Sequence, residues 1–258
     1  MASGVHGTKI PGTMKVTVCQ FHDEGEAIAA DWKRLVTHAS DESTELVLLP
    51  EMPFYSWLPS SPSFKAAEWA AAVEAHNQWE TRLSELSPAV VVGTRPVDYG
   101  DERYSEGFVW TAAAGIRAVH AKANLQNVDG CWESVWYQPA PAADFVPIEV
   151  RGVVIGFLIG AELAATWEAD QYRREHVQVL ATPRSTLTRD YGHWVAAGRS
   201  AAIRTGAFDL SSNRAGATAG GPGWIINPRG ETLALTSDAQ PFVSLSIQPL
   251  PWVAASLK

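Results

Sequence analysis

The sequence predicts an α/β protein arranged as a four-layer α-β-β-α sandwich, in which two mixed sheets pack face to face under outer helices. Short apolar runs alternate with longer segments of helical periodicity, as is typical of strands joined by helices. Hairpin signals interrupt this alternation in the middle of the chain, so antiparallel strands are expected as well. The chain has 258 residues, 46% of them hydrophobic and 19% charged, which is enough to bury a large core.

Proline and glycine mark the boundaries of several predicted elements. Pro50 and Pro88 end a strand and a helix, and Gly115 and Gly152 can adopt the positive φ that tight hairpins need. The predicted elements, in chain order, are strand 15–21, helix 23–39, strand 45–50, helix 64–86, strand 89–93, a hairpin of strands 107–112 and 116–121, paired strands 145–150 and 153–159, helix 167–175, strand 177–181, helix 193–205, strand 208–212, and short strands near 223–226, 232–234 and 242–247.

Composition limits the domain organisation and the classes of partner. No repeat or low-complexity linker divides the chain, so residues 14–258 are predicted to form one domain after a flexible leader at 1–13. The net charge of −8 disfavours nucleic acid and anionic membranes as partners. No apolar run approaches the ~20 residues of a membrane span, and no secretory signal is evident, so a cytoplasmic location is predicted.

The same sequence features give no indication of a metal or cofactor site. Cys19 and Cys131 are too few for a disulfide framework, and the seven His residues show no metal-ligand spacing. There is no Gly-rich phosphate loop. We therefore expect no metal and no cofactor, with a small-molecule substrate as the partner.

Three ionisable residues follow predicted strands or lie in a tryptophan-rich loop. Ligands of α/β sheets bind beyond the carboxyl ends of strands. Glu51 directly follows such a strand, where partial removal from water suits a general base. Lys122 ends the second hairpin strand, and Glu133 lies in Cys131-Trp132-Glu133. Considered singly, each is more often a surface residue; their order along the chain makes them candidates for one site.

That order resembles the nitrilase, or carbon–nitrogen hydrolase, superfamily. The matching features are a strand ending in Leu-Leu-Pro-Glu, a hairpin strand ending in Lys-x-x-Leu, and Trp-Glu shortly after it. The resemblance implies the four-layer sandwich, a homodimer or higher homo-oligomer, and chemistry at non-peptide C–N bonds. It also implies that Glu51 is the base, that Lys122 stabilises a tetrahedral oxyanion, and that Glu133 is the supporting acid.

The family's nucleophile is a cysteine at the end of a strand like 153–159, and this chain has Gly160 at the corresponding position. If the register is shifted by one residue, Ala161 takes that position, and no thioester can form in either case. The backbone N–H of Ala161 is a candidate oxyanion donor. A relocated thiol at Cys131 is disfavoured because catalysis tolerates displacements of only about 1 Å.

Three functional interpretations remain at this stage. The favoured one is an enzyme that uses Glu51 and Lys122 without covalent catalysis, for hydration, cyclisation, condensation or elimination. The others are an amidase or nitrilase carrying an inactivating substitution, and a non-catalytic protein that binds a small molecule.

Aromatic and cationic residues near the three candidates are predicted to line a substrate pocket. An aromatic or cationic small molecule would suit such a lining through stacking or cation–π contacts. Arg184 is either a pocket cation or a structural partner, and Arg199, which lies within a predicted helix, is assigned the structural role. The predicted pocket residues are Tyr55, Trp57, Trp132, Trp136, Trp167 and Arg184, with Tyr137 and Trp194 as further neighbours.

Overall fold

A computed structural model describes residues 12–22, 24–141, 145–164, 166–216 and 219–249. Most of the predicted leader, residues 1–11, lies outside this range. Within the described residues, no helix is both long enough and apolar enough to cross a membrane.

Fourteen strands are present in the described chain, and most coincide with apolar runs in the sequence. They are β1 (Met14–Phe21), β2 (Leu46–Leu48), β3 (Val90–Tyr99), β4 (Glu102–Thr111), β5 (Gly115–Ala121), β6 (Asn127–Val128), β7 (Cys131–Trp132), β8 (Ile148–Val150), β9 (Val153–Phe157), β10 (Val179–Pro183), β11 (Phe208–Arg214), β12 (Trp224–Ile226), β13 (Thr232–Leu235) and β14 (Phe242–Ile247).

Five α-helices accompany these strands in the described chain. The predicted helix 64–86 is α-helical only to Glu80 and continues as a 3₁₀-helix over Thr81–Leu86, where buried Leu83 and Leu86 are spaced three residues apart. The helices are α1 (Gly25–Asp41), α2 (Ala66–Glu80), α3 (Glu133–Trp136), α4 (Thr166–Arg174) and α5 (Tyr191–Thr205).

Twelve strands form one hydrogen-bonded network with the central order β5-β4-β3-β2-β1-β11-β10-β9-β8. The two predicted sheets are therefore joined, because β1 pairs with β11 at Gln20↔Asn213 and Phe21↔Arg214. Strands β1 to β5 and β14 form a first half-sheet on one side of this junction. Strands β8 to β13 form a second half-sheet on the other side. Strands β1, β2 and β3 run parallel, as do β9, β10 and β11, and the junction pair β1 and β11 is parallel as well, whereas the remaining pairs are antiparallel.

The central core lies between the two half-sheets, and helices cover their outer faces. One apolar cluster combines residues of both half-sheets, and two others join α1 to the first half-sheet and α4 and α5 to the second. This is the predicted α-β-β-α sandwich. Inward-facing residues of the central cluster include Val16, Val18, Leu48 and Val92 from the first half-sheet and Ile155, Phe157, Val179 and Leu210 from the second.

This arrangement brings several strand ends together. Parallel neighbours β1 and β2 end at the same edge, as do β9, β10 and β11. The segments that follow β2, β5 and β9 carry Glu51, Lys122 and Gly160. Residues separated by more than 100 positions in the sequence thereby meet at one edge of the sandwich.

Candidate active site

Glu51 follows β2 after Leu49 and Pro50 and lies inside the protein, with a side chain 1% exposed. Its Oε1 accepts hydrogen bonds from Lys122 Nζ at 2.9 Å and from Ser105 Oγ at 3.3 Å. Burial raises the pKa of Glu51 to about 7, against the opposing effect of the Lys122 charge. A carboxyl group with this pKa can accept and return a proton near neutral pH.

Lys122 directly follows β5, and its side chain is fully buried. Its backbone N–H donates to Ser105 O on β4, which fixes the main chain where the strand ends. Burial alone would lower the pKa of Lys122, but the carboxylates of Glu133 and Glu51 outweigh this effect and raise it above the ordinary value. Lys122 is therefore a permanent cation between two acids.

Glu133 begins α3, directly after the small β6–β7 hairpin. Its Oε1 lies 2.5 Å from Lys122 Nζ, and its Oε2 accepts the backbone N–H of Gln126 at 2.7 Å. Glu133 and Glu51 therefore both bind the Lys122 ammonium group. The structure brings together the three residues singled out in the sequence.

Gly160 lies against this group of side chains and adopts φ +54°. A Cβ atom at this position would lie 2.6 Å from Lys122 Nζ and 2.9 Å from Glu51 Oε2. Both the left-handed backbone and the lack of space favour glycine. Ala161 follows in a short 3₁₀ segment, is half-buried and packs against the apolar cluster of the second half-sheet.

A third buried carboxylate beside the site, Glu162, connects the Gly160 turn with the end of β5. Its Oε1 accepts the backbone N–H of Ala123 at 2.6 Å, and its Oε2 lies 2.9 Å from His120 Nε2. The Ile159 N–H also donates to Oε2, at 2.8 Å. The Glu162 carboxylate thus binds His120 and Ala123, which lie on either side of Lys122 in the sequence. It also binds Ile159, which precedes Gly160.

Arg214, at the end of β11, holds the segment that carries Glu51. Its guanidinium donates to the carbonyl oxygens of Glu51 and Tyr55, at 3.1 and 2.9 Å, and also to that of Met52. The guanidinium carbon lies 5.2 Å from the centre of the Trp57 ring. The sequence alone did not indicate this role of Arg214.

Cys131 lies near the site in β7, with 3% of its surface exposed. Burial, followed by the charge of Glu133, raises the pKa of this thiol well above its ordinary value. The protonated thiol is a poor nucleophile, which agrees with the expectation that Cys131 does not replace the family's cysteine. Within the described residues, no group of three or more His, Cys, Asp or Glu side chains is arranged to hold a metal ion.

The predicted pocket aromatics differ in their surroundings. Trp57 is buried in one apolar cluster with Met52, Cys131, Trp136 and Tyr137, and Tyr55 packs against it. The Trp136 indole donates to Ser61 O. Trp132, in β7, is half-buried directly before Glu133.

Trp167, Trp194 and Arg184 have contacts that belong to other parts of the fold. Trp167 is 50% exposed and contacts Phe145 edge-on, and Trp194 packs in the cluster between α5 and the second half-sheet. Arg184 is fully buried and donates to Ser211 Oγ, Thr186 Oγ1 and Pro222 O. These contacts favour the structural alternative for Arg184.

Comparisons with known proteins place this arrangement in a family. The family model described as carbon-nitrogen hydrolase matches residues 15–246. A comparison with functionally curated proteins found no match.

Three solved structures illustrate the similarity of fold. The carbon-nitrogen hydrolase of Helicobacter pylori G27 is 19% identical with a TM-score of 0.80, over 92% of this chain and 90% of that protein. An amidase from Nesterenkonia sp. is 16% identical with a TM-score of 0.77, over 94% of both chains. A Cys-to-Ala variant of the amidase from Nesterenkonia sp. AN1, in complex with butyramide, is 15% identical with a TM-score of 0.77 over 94% of both chains. Because the family model covers nearly the entire chain, this protein belongs to the carbon-nitrogen hydrolase family.

Proposed function

We propose that the protein is an enzyme that acts on a C–N bond, or on a carbonyl or imine centre, of a small molecule without forming a covalent intermediate. The observation that carries this proposal is the position of Gly160. A residue without a side chain lies directly against Lys122 Nζ and Glu51, where a reacting thiol would be required. The amidase neighbours support a C–N substrate, and the active-site cysteine of one of them forms a covalent adduct.

The proposed chemistry assigns a separate task to each member of the group. Glu51, with a pKa of about 7, takes a proton from water or from an amine of the substrate. The oxygen or nitrogen so activated adds to the carbonyl or imine carbon, and the Lys122 ammonium stabilises the negative charge that develops. Glu51 then returns the proton to the leaving group. Glu133 touches Lys122 and keeps it oriented.

A second candidate function, binding without turnover, is favoured by the burial of the group. Glu51, Lys122 and Glu133 are 0–3% exposed, so they face no open cleft in this state. A protein that holds a small amide in a closed site would need no nucleophile. The two functions differ in whether a bound ligand is recovered unchanged.

Turnover of a panel of amides, nitriles and carbamoyl compounds tests the proposal, with products followed by mass spectrometry. We expect Glu51→Gln and Lys122→Met each to reduce the rate at least about 100-fold, the usual contribution of general acid–base catalysis. Glu149→Gln, an exposed carboxylate on β8, is the matched control and should retain full activity. Full activity in both site variants would contradict the proposal.

Two further variants separate the remaining interpretations. Cys131→Ser should remain active, because a buried and protonated thiol takes no part in the reaction. Gly160→Cys should not form an acyl-enzyme, because the Cβ would lie 2.6 Å from Lys122 Nζ. If that variant acquires amidase activity and an acylated form detectable by mass, the chain is better described as an inactivated amidase. Recovery of a tightly bound, unchanged ligand would support the binding function.

A further inference from the structure

Met52, the residue directly after Glu51, has a left-handed backbone with φ +44°. This conformation is unfavourable for a residue with a side chain and persists only where the surroundings hold it. Three other non-glycine residues of the described chain have a positive φ, and each lies exposed in a turn: Ser43, Arg151 and His176. Met52 is only 3% exposed, so the buried left-handed residue is the one beside the proposed base.

The hydrogen bonds of Arg214 fix the backbone on both sides of the Met52 Cα atom. One terminal nitrogen of its guanidinium donates to the carbonyl oxygen of Glu51, at 3.1 Å, and to that of Met52. These oxygens belong to the two peptide groups that flank the Met52 Cα, so a single nitrogen restrains both dihedral angles. The Met52 N–H donates in turn to Thr94 Oγ1 on β3, at 2.7 Å.

Ser185 connects the same guanidinium to the Glu51 carbonyl oxygen by a second route. Its Oγ accepts a hydrogen bond from Arg214 Nε at 2.7 Å and donates to Glu51 O at 3.0 Å. Arg214 is 1% exposed and ends β11, where that strand pairs with β1. A planar guanidinium presents its donors in fixed directions, whereas a lysine keeps the charge and loses those directions.

The position of the Glu51 carboxylate depends on this backbone. Its Oε1 accepts a hydrogen bond from Lys122 Nζ at 2.9 Å, and its Oε2 lies 2.9 Å from the place that a Cβ on Gly160 would occupy. Lys122 is also bound to Glu133, so it is not free to follow a shift of the Glu51 segment. Relaxation of the left-handed residue would turn the preceding peptide group and carry the Glu51 carboxylate away from the ammonium group.

We propose that Arg214 is a positioning residue for Glu51: it holds the left-handed backbone at Met52, and with it the Glu51 carboxylate against Lys122 and beside Gly160. Arg214 acts through main-chain oxygens rather than through the substrate. The inference rests on the proposed function for the role of Glu51 as a base. The placement of the Glu51 carboxylate can be measured without turnover.

An NMR titration of the Glu51 carboxyl carbon, with Glu51→Gln to identify its signal, reports that placement. Arg214→Lys retains the charge, so a change in the Glu51 pKa would reflect geometry. We expect the pKa to move from about 7 by about one or more, downwards if the carboxylate reaches water and upwards if it stays buried without Lys122. An unchanged pKa would overturn the inference.

Arg184→Lys is the matched control for this titration. Arg184 is another fully buried arginine, directly after the neighbouring strand β10. Its guanidinium donates away from the Glu51 carbonyl oxygens, to Ser211, Thr186 and Pro222. The Glu51 pKa should therefore stay at its wild-type value in this variant. A change as large as that in Arg214→Lys would show that the loss of any buried guanidinium disturbs the site, and would contradict a specific role of Arg214.

Substitutions of Met52 distinguish control of the backbone from general disruption. Glycine adopts a positive φ without a steric penalty, so Met52→Gly combined with Arg214→Lys should restore the Glu51 pKa. Met52→Ala removes most of the same side chain but keeps the unfavourable backbone, and should give no rescue. Equal results for the two combinations would mean that Arg214 does not act through the left-handed residue.

Ser185→Ala provides a test that is independent of the folding of Arg214→Lys. It removes one of the two routes from the guanidinium to the Glu51 carbonyl oxygen and leaves Arg214 in place. The Glu51 pKa should change in the same direction as in Arg214→Lys, by a smaller amount, and Met52→Gly should reverse the change. A pKa that does not respond to Ser185→Ala would count against the inference where Arg214→Lys does not fold.

Kinetics with a substrate found in the panel assay add a second readout. Arg214→Lys should lower kcat at least about tenfold and change KM by less than about threefold, because Arg214 contacts the base segment and not the substrate. Met52→Gly should restore kcat in that background. A loss expressed mainly in KM would contradict a positioning role.

The outcomes separate this inference from the catalytic proposal. A Glu51 pKa that depends on Arg214 and is restored by Met52→Gly, together with full activity of Glu51→Gln, would keep the inference about placement and overturn the catalytic proposal. An inactive Glu51→Gln beside a fully active Arg214→Lys with an unchanged Glu51 pKa would do the reverse.

Discussion

Glu51 combines full burial with a direct contact to an ammonium group, and these two influences act on its pKa in opposite directions. Burial is the larger, so the pKa rises to about 7. If Glu51 is the general base, kcat/KM should fall about tenfold per pH unit below pH 7. A rate profile from pH 5 to 9 measures this. Activity that stays constant down to pH 5 would exclude Glu51 as the base.

The raised pKa of Glu51 also makes the stability of the folded protein depend on pH, in a direction that can be worked out. The folded state binds the Glu51 proton more tightly than the unfolded state, whose pKa is near the ordinary 4.5. The contribution of Glu51 to the free energy of unfolding is therefore largest below pH 4.5 and is lost as the pH rises through 7, by up to about 3 kcal/mol. Urea titrations of wild type and Glu51→Gln between pH 4.5 and 8 should diverge in this direction. Parallel curves would show that Glu51 does not titrate in this range.

Gly160 and Gly115 together allow the energetic cost of backbone strain to be separated from that of side-chain crowding. Gly115 has a similar φ of +67° but open space around its Cβ position, whereas a Cβ on Gly160 would meet Lys122 and Glu51. Left-handed backbone costs about 1–2 kcal/mol for alanine at either site. We expect Gly160→Ala to cost at least about 1 kcal/mol more than Gly115→Ala in chemical denaturation, because Lys122 is held by two ion pairs. Equal costs would show that the site opens easily around position 160.

At the scale of elements, Glu162 fixes the turn after β9 to the end of β5. Replacing it with Gln would place an NH₂ group against N–H donors such as that of Ile159. We expect Glu162→Gln to destabilise the protein by about 2 kcal/mol and to speed hydrogen exchange of the Ala123 amide. Denaturation and exchange measurements check both effects, with Glu149→Gln, exposed on β8, expected to change stability by less than about 0.5 kcal/mol. Unaltered exchange at Ala123 would show that the carboxylate does not hold these elements together.

The elements also show which parts of the structure could be predicted from the sequence. Apolar runs before Glu51 and Lys122 located the strand ends, because side-chain periodicity is a local signal. That these residues and Glu133 form one group was implied by the resemblance to the nitrilase superfamily. The extension of β3 to Tyr99 was missed, since polar pairs such as Arg95–Glu106 replace apolar alternation there. The contacts of Arg214 with carbonyl oxygens about 160 residues away have no local pattern. They follow only from the pairing of β1 with β11.

At the scale of the whole molecule, Gly107 on β4 and Phe157 on β9 form a close contact between the two half-sheets. A Cβ on Gly107 would lie 2.9 Å from Phe157 Cδ1, closer than side chains approach without movement. Phe157 is 1% exposed and packs among the apolar side chains of the central core. We expect Gly107→Ala to cost about 1–3 kcal/mol through overpacking.

A double-mutant cycle separates overpacking from loss of backbone freedom at Gly107. Phe157→Leu alone leaves a cavity and is destabilising, but it removes the ring that an alanine at position 107 would contact. The double variant should therefore be more stable than the sum of the single effects predicts, by about 1 kcal/mol or more in urea denaturation. Additive costs would show that the half-sheets adjust independently at this point. A favourable coupling would mean instead that the close approach of β4 and β9 depends on a glycine opposite a phenylalanine. The position of the strand ends that carry Lys122 and Gly160 would then depend on the same pair.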